Sequence, residues 1–190
     1  MYLGNAGRSA LSQLPNPVSV PDASAFTRLE GLPPGRAGTI ATLKRMRDFV
    51  RASLRAPDQS VRNTALGIFA NENIPARSYM KEIEALQRFV RDKVRYVKDP
   101  VGLELVQIPQ RTLEAGQGDC DDKATLLAAL LMATGKPARF VALGFKGMPF
   151  SHVLVEVRAG TKWIPLETIL AGKPVGWFPP GVTSRYDLNL

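Results

Sequence analysis

Cysteine and histidine are almost absent from this sequence, whose 190 residues contain one of each, Cys120 and His152. A single cysteine excludes an intramolecular disulfide and favours a reducing compartment. One cysteine and one histidine also argue against a structural zinc site, which usually takes four such ligands. We therefore expect neither a metal nor another cofactor.

Long apolar runs are missing as well. No stretch approaches the ~20 apolar residues of a membrane-spanning helix, so no membrane span is predicted. The N-terminus has no charged start followed by an apolar segment, and we therefore do not expect a secretory signal. Hydrophobic residues make up 45% of the chain, which is enough for the core of one domain with extensions.

Positive charge is in excess, but it is concentrated in the first half of the chain. The net charge is +8, of which residues 1–100 contribute +7 and residues 101–190 contribute +1. A basic face on the first predicted helix is of the kind that meets nucleic acid or anionic lipid. No aromatic residues are interleaved with these charges to stack on bases, so we interpret the face as solvated and do not expect nucleic-acid binding.

Breaker residues and apolar periodicity divide the chain into regions. Thr39 is predicted to cap a helix that ends near Arg55, and Ser78 to cap one that ends near Tyr96. Residues 101–118 predict an irregular link. The regions are an extended arm (1–37), a helical N-terminal region (38–76), a core (77–170) and an irregular C-terminal tail (171–190). The arm is predicted to be either disordered or ordered on a partner, and the arm and tail are the candidate contacts for protein partners.

The single cysteine lies at a predicted helix start. Asp119 can act as the N-cap, an apolar run follows through Leu131, and a glycine–lysine–proline stop comes next. The helix dipole favours a thiolate by only ~0.3–1 kcal/mol, which is less than one pKa unit. The acidic neighbours Asp121 and Asp122 oppose it. Cys120 therefore needs a cationic partner to become a strong nucleophile.

The single histidine begins a strand-like run, and a short turn leads from it to a second strand that ends at Glu167. A hairpin of this kind can bring a base and a carboxylate side by side. A cysteine at a helix start, a histidine on a facing strand and a carboxylate that orients the imidazole form a nucleophile–base–orienter pattern. The sequence thus predicts Cys120, His152 and Glu167 as catalytic residues.

Acyl transfer through a thiol also needs donors for the oxyanion of the tetrahedral intermediate. The backbone N–H of Cys120 is one predicted donor, and the side-chain amide of Gln107 is the predicted second. The carboxylates on either side of the cysteine, Asp119, Asp121 and Asp122, have a spacing that fits no calcium loop. We interpret them as the acidic first turn of a helix and predict no metal site.

Several short motifs occur in an order that resembles the transglutaminase-like superfamily. They are Gly118-Asp119-Cys120, Ala124, Gly135-Lys136-Pro137-Ala138-Arg139, Ser151-His152-Val153 and Trp163-Ile164-Pro165-Leu166-Glu167. The resemblance covers roughly residues 79–170. It implies an α+β, papain-like fold, in which the nucleophile helix packs on a small antiparallel sheet, and a Cys-His-Asp triad. Cys120 would be the nucleophile and His152 the base, and Glu167 stands where the family usually has aspartate.

Two functions follow from this resemblance and from the site pattern. The first is a cysteine-dependent acyl-transfer enzyme, a peptidase, amidase or transglutaminase-type enzyme, that acts on peptide or protein amides through a thioester at Cys120. The alternative is a structural or assembly component of a phage particle that retains the fold with little or no activity. The corresponding locations are the cytoplasm of a bacterial host and the virion.

Overall fold

A computed structural model describes residues 26–29, 32–100, 105–147 and 149–190 of the chain. The helices are α1 (Arg36–Arg55), α2 (Ser60–Asn71), α3 (Tyr79–Lys93), α4 (Pro109–Ala115) and α5 (Cys120–Ala133). The strands are β1 (Phe26–Arg28), β2 (Arg95–Tyr96), β3 (Leu105–Gln107), β4 (Gln117–Gly118), β5 (Ala138–Phe145), β6 (Phe150–Ala159), β7 (Lys162–Leu166) and β8 (Val182–Asn189). Within these residues, no helix combines the length and apolar character needed to cross a membrane.

The predicted α+β architecture is confirmed, since helix α5 packs on a small antiparallel sheet. The sheet has the strand order β7-β6-β5-β8. Helix α5 is apolar on all sides, and its residues from Ala124 to Leu131 are buried. An all-round apolar helix must be covered from every direction. Helices α1 to α4 and the sheet supply this cover.

A tight hairpin places the end of β7 beside the start of β6. Ala159 pairs with Lys162, and the turn between them contains Gly160 at φ +61°. The pairing continues to Val155 and Leu166. Glu167 follows directly and therefore lies near the residues at the start of β6. The order of β6, turn, β7 and carboxylate agrees with the hairpin predicted from the sequence.

The C-terminal tail differs from its prediction. Residues 171–190 were expected to be irregular, but Val182–Asn189 form strand β8 and pair with β5. Its side chains alternate between half-buried and exposed along the strand. The apolar residues Val182, Tyr186 and Leu188 follow this period of two. The proline-rich stretch before them favours an irregular segment, and the prediction followed that stretch.

The predicted link between residues 101 and 118 is also more ordered than expected. In its described residues, 105–118, it contains β3, the short helix α4 with Pro109 at its first position, and β4. The third helix ends at Lys93, before the predicted end near Tyr96, and the chain is extended in β2. Strand β2 pairs in parallel with β4. These short elements are fixed by pairing with distant strands, which local periodicity does not reveal.

The described end of the predicted arm is folded onto the domain. Strand β1 pairs antiparallel with β3, and Leu29 packs against the core. Helix α1 begins at Arg36 and not after a Thr39 cap. Its N-cap residue is Gly35, which has no side chain that could cap the helix. The end of the region 1–37 thus belongs to the domain. The prediction for residues 1–25 lies outside the described residues.

Candidate active site

Helix α5 begins at Cys120 because the residues on either side form a capping box. Asp119 is the N-cap, and its Oδ1 accepts hydrogen bonds from the backbone N–H groups of Asp121 at 2.9 Å and Asp122 at 3.2 Å. Asp122 returns the bond, since its Oδ2 accepts from the N–H of Asp119 at 3.2 Å. These bonds satisfy the first donors of the helix. They fix the thiol at its first turn.

Asp122 also ties strand β3 to this turn. Its carboxylate accepts from the backbone N–H of Gln107 at 2.8 Å and from Gln107 Nε2 at 2.7 Å. Gly118 makes room for the arrangement, because a Cβ there would lie 2.5 Å from the Cβ of Asp122. The side-chain amide of Gln107 is therefore directed at Asp122, and Gln107 does not line the cavity that contains the thiol. Its oxyanion role stays a prediction.

Cys120 and His152 line one cavity of about 340 Å³. Helix α5, strands β5 and β6, helix α1 and the segment before α1 all contribute to its walls. Its other lining residues are Leu32, Pro33, Gly35, Gly38, Thr39, Thr42, Leu43, Asp119, Asp121, Ala142, Phe150, Ser151 and Val153. His152 is the one imidazole among these described lining residues, so it is the candidate partner of the thiol.

A β-bulge lies directly before His152. Leu143 on β5 pairs with His152, but the next residue, Gly144, pairs with Phe150, which leaves Ser151 as the extra residue. Bulges bend a strand and redirect its side chains, and they are common next to active sites. The bulge thus sits where the strand has to present the imidazole.

The predicted contact between His152 and Glu167 is present. His152 Nε2 lies 2.8 Å from Glu167 Oε2. The other carboxylate oxygen, Oε1, accepts from the backbone N–H groups of Ile169 at 2.6 Å and Leu170 at 3.4 Å. Burial opposes ionisation of this 1% exposed side chain, but His152 and the two backbone N–H groups outweigh burial, and the pKa of Glu167 is lowered. The carboxylate is therefore ionised at neutral pH.

Gln87 holds the backbone of Glu167 in place. This residue was not identified from the sequence. Its Nε2 donates to the backbone carbonyl of Glu167 at 3.0 Å and to that of Lys173 at 3.4 Å. Gln87 is 2% exposed and stands within the apolar stripe of α3, between Ile83 and Val90. A polar residue inside an apolar stripe is the signal that could have identified it, because a buried amide requires partners.

The thiol itself is held in its neutral form. Burial raises the pKa of Cys120, and the charges of Asp121 and Asp119 and a bond to Asp121 Oδ1 at 3.5 Å raise it further. The backbone N–H of Val153 opposes this effect. Lys123 gives no help, because its Nζ donates to backbone carbonyl groups at the end of α3. No hydrogen bond joins Cys120 to His152 among the described residues. In this arrangement His152 does not accept the proton of the thiol.

Comparisons with known proteins identify the family and the fold. The sequence profile of the transglutaminase-like superfamily matches residues 63–168. No curated protein matches the chain.

Within the parts of the chain that the structure describes, no group of three or more histidine, cysteine, aspartate or glutamate residues is arranged to hold a metal ion.

Solved structures with a similar fold include the following two. One is a proposed protease from Parabacteroides distasonis, with a TM-score of 0.51 and 13% identity over 78% of this chain and 31% of that one. The other is calcium-bound LapG of Legionella pneumophila, with a TM-score of 0.50 and 14% identity over 74% of this chain and 80% of that one. At these identities the likeness shows the fold alone, and the chain spans about a third of the length of the Parabacteroides protein.

Proposed function

Because the chain belongs to the transglutaminase-like superfamily, we propose that it is a thiol enzyme whose Cys120 attacks the carbonyl carbon of a peptide or protein amide. The observation that supports this most is the bond of 2.8 Å between His152 and the buried Glu167, at the cavity that also contains Cys120. An oriented imidazole beside a thiol is the arrangement that activates a cysteine nucleophile.

The bond to Glu167 assigns the two ring nitrogens of His152. Nε2 donates to Glu167, so Nδ1 is the atom that takes the proton from Cys120. The sulfur then forms a bond to the carbonyl carbon, and the electron pair of the carbonyl moves to its oxygen. When the oxyanion collapses, the C–N bond breaks and the imidazolium gives its proton to the leaving amine. A thioester remains, and water or an amine resolves it.

The oxyanion donors are part of the proposal. The backbone N–H of Cys120 is the first, as it belongs to the free N–H groups at the start of α5. Gln107 is the second, because its Nε2 carries another hydrogen besides the one given to Asp122. Which nucleophile resolves the thioester decides between peptidase or amidase and transglutaminase-type activity. Adding a primary amine and measuring amide product against free acid distinguishes these activities.

Acylation by p-nitrophenyl acetate tests the proposed pair without knowledge of the natural substrate. The thiol sulfur bonds to the acetyl carbon and p-nitrophenolate leaves, so release of the phenolate and the mass of the Cys120 peptide both report the step. Cys120→Ser should abolish the acetylated peptide. His152→Ala should slow acylation by about 10²–10⁴-fold, the usual contribution of a general base. Equal rates in wild type and His152→Ala would contradict the proposal.

The alternative, a particle component with little or no activity, has one observation in its favour. The raised pKa of Cys120, which burial and the charges of Asp121 and Asp119 produce, is what a thiol without a catalytic task would show. This candidate predicts that p-nitrophenyl acetate leaves Cys120 unmodified in the wild-type chain. It also predicts that Glu167 can be replaced without functional effect.

A further inference from the structure

The chain segment before helix α1 forms one wall of the cavity at Cys120. Leu32, Pro33 and Gly35 line the cavity together with the catalytic candidates, and Pro34 between them does not. The segment therefore borders the same space as the thiol. The described contacts of this wall are with α1, whose first turns continue the same side of the cavity.

Gly38 on α1 holds the wall in place through close packing. A Cβ built on Gly38 would lie 2.3 Å from the backbone oxygen of Pro33 and 3.8 Å from the Cβ of Leu32. Real side chains do not approach a backbone oxygen to 2.3 Å, so any larger residue at position 38 must displace the segment. Gly38 is itself buried. The wall is therefore seated on the helix.

The chemistry of the cavity is asymmetric. Apolar side chains line part of the cavity, among them Leu32, Pro33, Leu43, Ala142 and Phe150, together with hydroxyl side chains of α1 and β6. Acidic side chains are found only at the thiol end. The volume of about 340 Å³ is at the lower limit of ligand pockets, which span roughly 300–1,000 Å³.

We infer that the wall formed by Leu32, Pro33 and Gly35 determines specificity by limiting acyl donors to those with a compact side chain, without negative charge, next to the reacting carbonyl. This inference rests on the proposed thiol chemistry and adds a substrate class to it. A bulky group would have to displace the wall, and an acidic group would meet the carboxylates beside the thiol. Enlarging the wall side of the cavity should therefore admit bulkier donors, and narrowing it should exclude them.

Two p-nitrophenyl esters measure this selection on the full chain. One carries the acetyl group and the other the bulky 3-phenylpropanoyl group, and the quantity compared is the ratio of their rates of Cys120 acylation. Leu32→Ala should raise the ratio of bulky to small ester by about 10-fold, the scale of methylene discrimination in a hydrophobic pocket. Thr39→Phe, on the α1 side of the same cavity, should lower it by about 10-fold. Pro34→Ala is the matched control and should leave the ratio unchanged.

A second pair of variants moves the wall without changing a wall side chain. Gly38→Ala should displace Pro33 and raise the ratio in the same direction as Leu32→Ala. Gly67→Ala is the control, because a Cβ at this helical glycine meets nothing within 4 Å. Circular dichroism and the melting temperature establish that each variant is folded. A folding defect lowers both rates together and leaves the ratio unchanged.

The outcomes separate the inference from the function on which it rests. If the wild-type Cys120 is acylated by the acetyl ester and the ratio is the same in Leu32→Ala, Thr39→Phe and Gly38→Ala, the wall does not select and the inference is wrong, while the thiol chemistry stands. If Cys120 is acylated by neither ester in the wild type, the proposed function itself fails. Opposite shifts in the widened and narrowed variants support the inference.

Discussion

Replacing Glu167 with glutamine separates two tasks that its carboxylate performs at once. Oε2 accepts the Nε2 proton of His152 at 2.8 Å, and Oε1 accepts the N–H groups of Ile169 at 2.6 Å and Leu170 at 3.4 Å. A glutamine side chain has one acceptor oxygen and one donor NH₂ group. It is nearly isosteric with glutamate, but it cannot serve both sets of partners.

The structure decides which partner is lost. If the amide oxygen turned towards His152, the backbone N–H groups of Ile169 and Leu170 would be left without an acceptor, at a cost of about 1–3 kcal/mol. The oxygen is therefore expected to stay with the turn, and the NH₂ group then faces His152 Nε2. A donor at that position favours the tautomer with its proton on Nδ1, which cannot accept the thiol proton.

We therefore expect Glu167→Gln to lower the rate of Cys120 acylation by about 10³–10⁴-fold, the loss seen when a triad carboxylate becomes an amide. The assay is the release of p-nitrophenolate across a pH range that spans the titration of an imidazole. Glu156→Gln is a matched control, since Glu156 is a buried carboxylate of the same sheet that contacts arginine side chains and does not line the cavity. Superimposable profiles for wild type and Glu167→Gln would remove Glu167 from the mechanism.

The same substitution carries a stability signature with a definite sign. The pKa of Glu167 is lowered in the folded protein, so on acidification the unfolded chain binds this proton before the folded one does. The stabilisation is complete above the ordinary glutamate pKa of about 4.3 and is lost as the pH falls through the lowered value. Denaturant titrations should show this loss in the wild type, and the contribution should be missing in Glu167→Gln.

Three further substitutions test how the site is supported. Burial and the charge of Asp122 raise the pKa of Asp119 to about 7, so stability should decline as the pH rises from about 4 to 7; Asp119→Asn keeps an N-cap and should flatten this decline. Gln87→Leu should cost about 1–3 kcal/mol in the free energy of unfolding, since the buried carbonyl of Glu167 loses its donor. Gly118→Ala should cost about 1–3 kcal/mol, because its Cβ would collide with Asp122.

Each of these is measured by urea unfolding at fixed pH, and each has an outcome that contradicts it. An unchanged pH slope in Asp119→Asn would mean that another group carries the titration. An unchanged unfolding free energy in Gln87→Leu would mean that the carbonyl finds another donor. For Gly118→Ala the comparison is Gly67→Ala, which has open space around its Cβ, and equal costs in the two variants would argue against the collision.

The helix start at Cys120 and the contact between His152 and Glu167 were predictable from the sequence because they depend on short local patterns. A cap residue before an apolar run located the start of α5 at Cys120, and a hairpin with a two-residue turn set His152 against Glu167. Both signals operate within a few residues or across one turn. The distance between His152 and Glu167 then follows from strand pairing, since diagonal neighbours across a hairpin are within reach of long side chains.

The surroundings of the site were not predictable in this way because they depend on contacts between distant parts of the chain. The partner that holds Gln107 could not be found from local sequence patterns, because the buried carboxylate of Asp122, 15 residues further along the chain, binds both its backbone and its side chain. Pro33 lies in the segment that was predicted to be an extended arm, yet it packs on Gly38 and lines the cavity. Glycine and proline mark turns in a sequence, and the same residues serve close packing that only the fold reveals.

The raised pKa of Cys120 determines the order of events in the proposed reaction. Burial and the charge of Asp121 raise the pKa of the thiol, which disfavours a thiolate–imidazolium pair before substrate binds. The proton must move to His152 as the C–S bond forms, and the charge of Glu167 then stabilises an imidazolium present only from the transition state onwards, where stabilisation accelerates the reaction. We therefore expect acylation to be slower in D₂O than in H₂O, compared at the plateau of each pH profile. Equal plateau rates would indicate a preformed thiolate, contrary to this electrostatic argument.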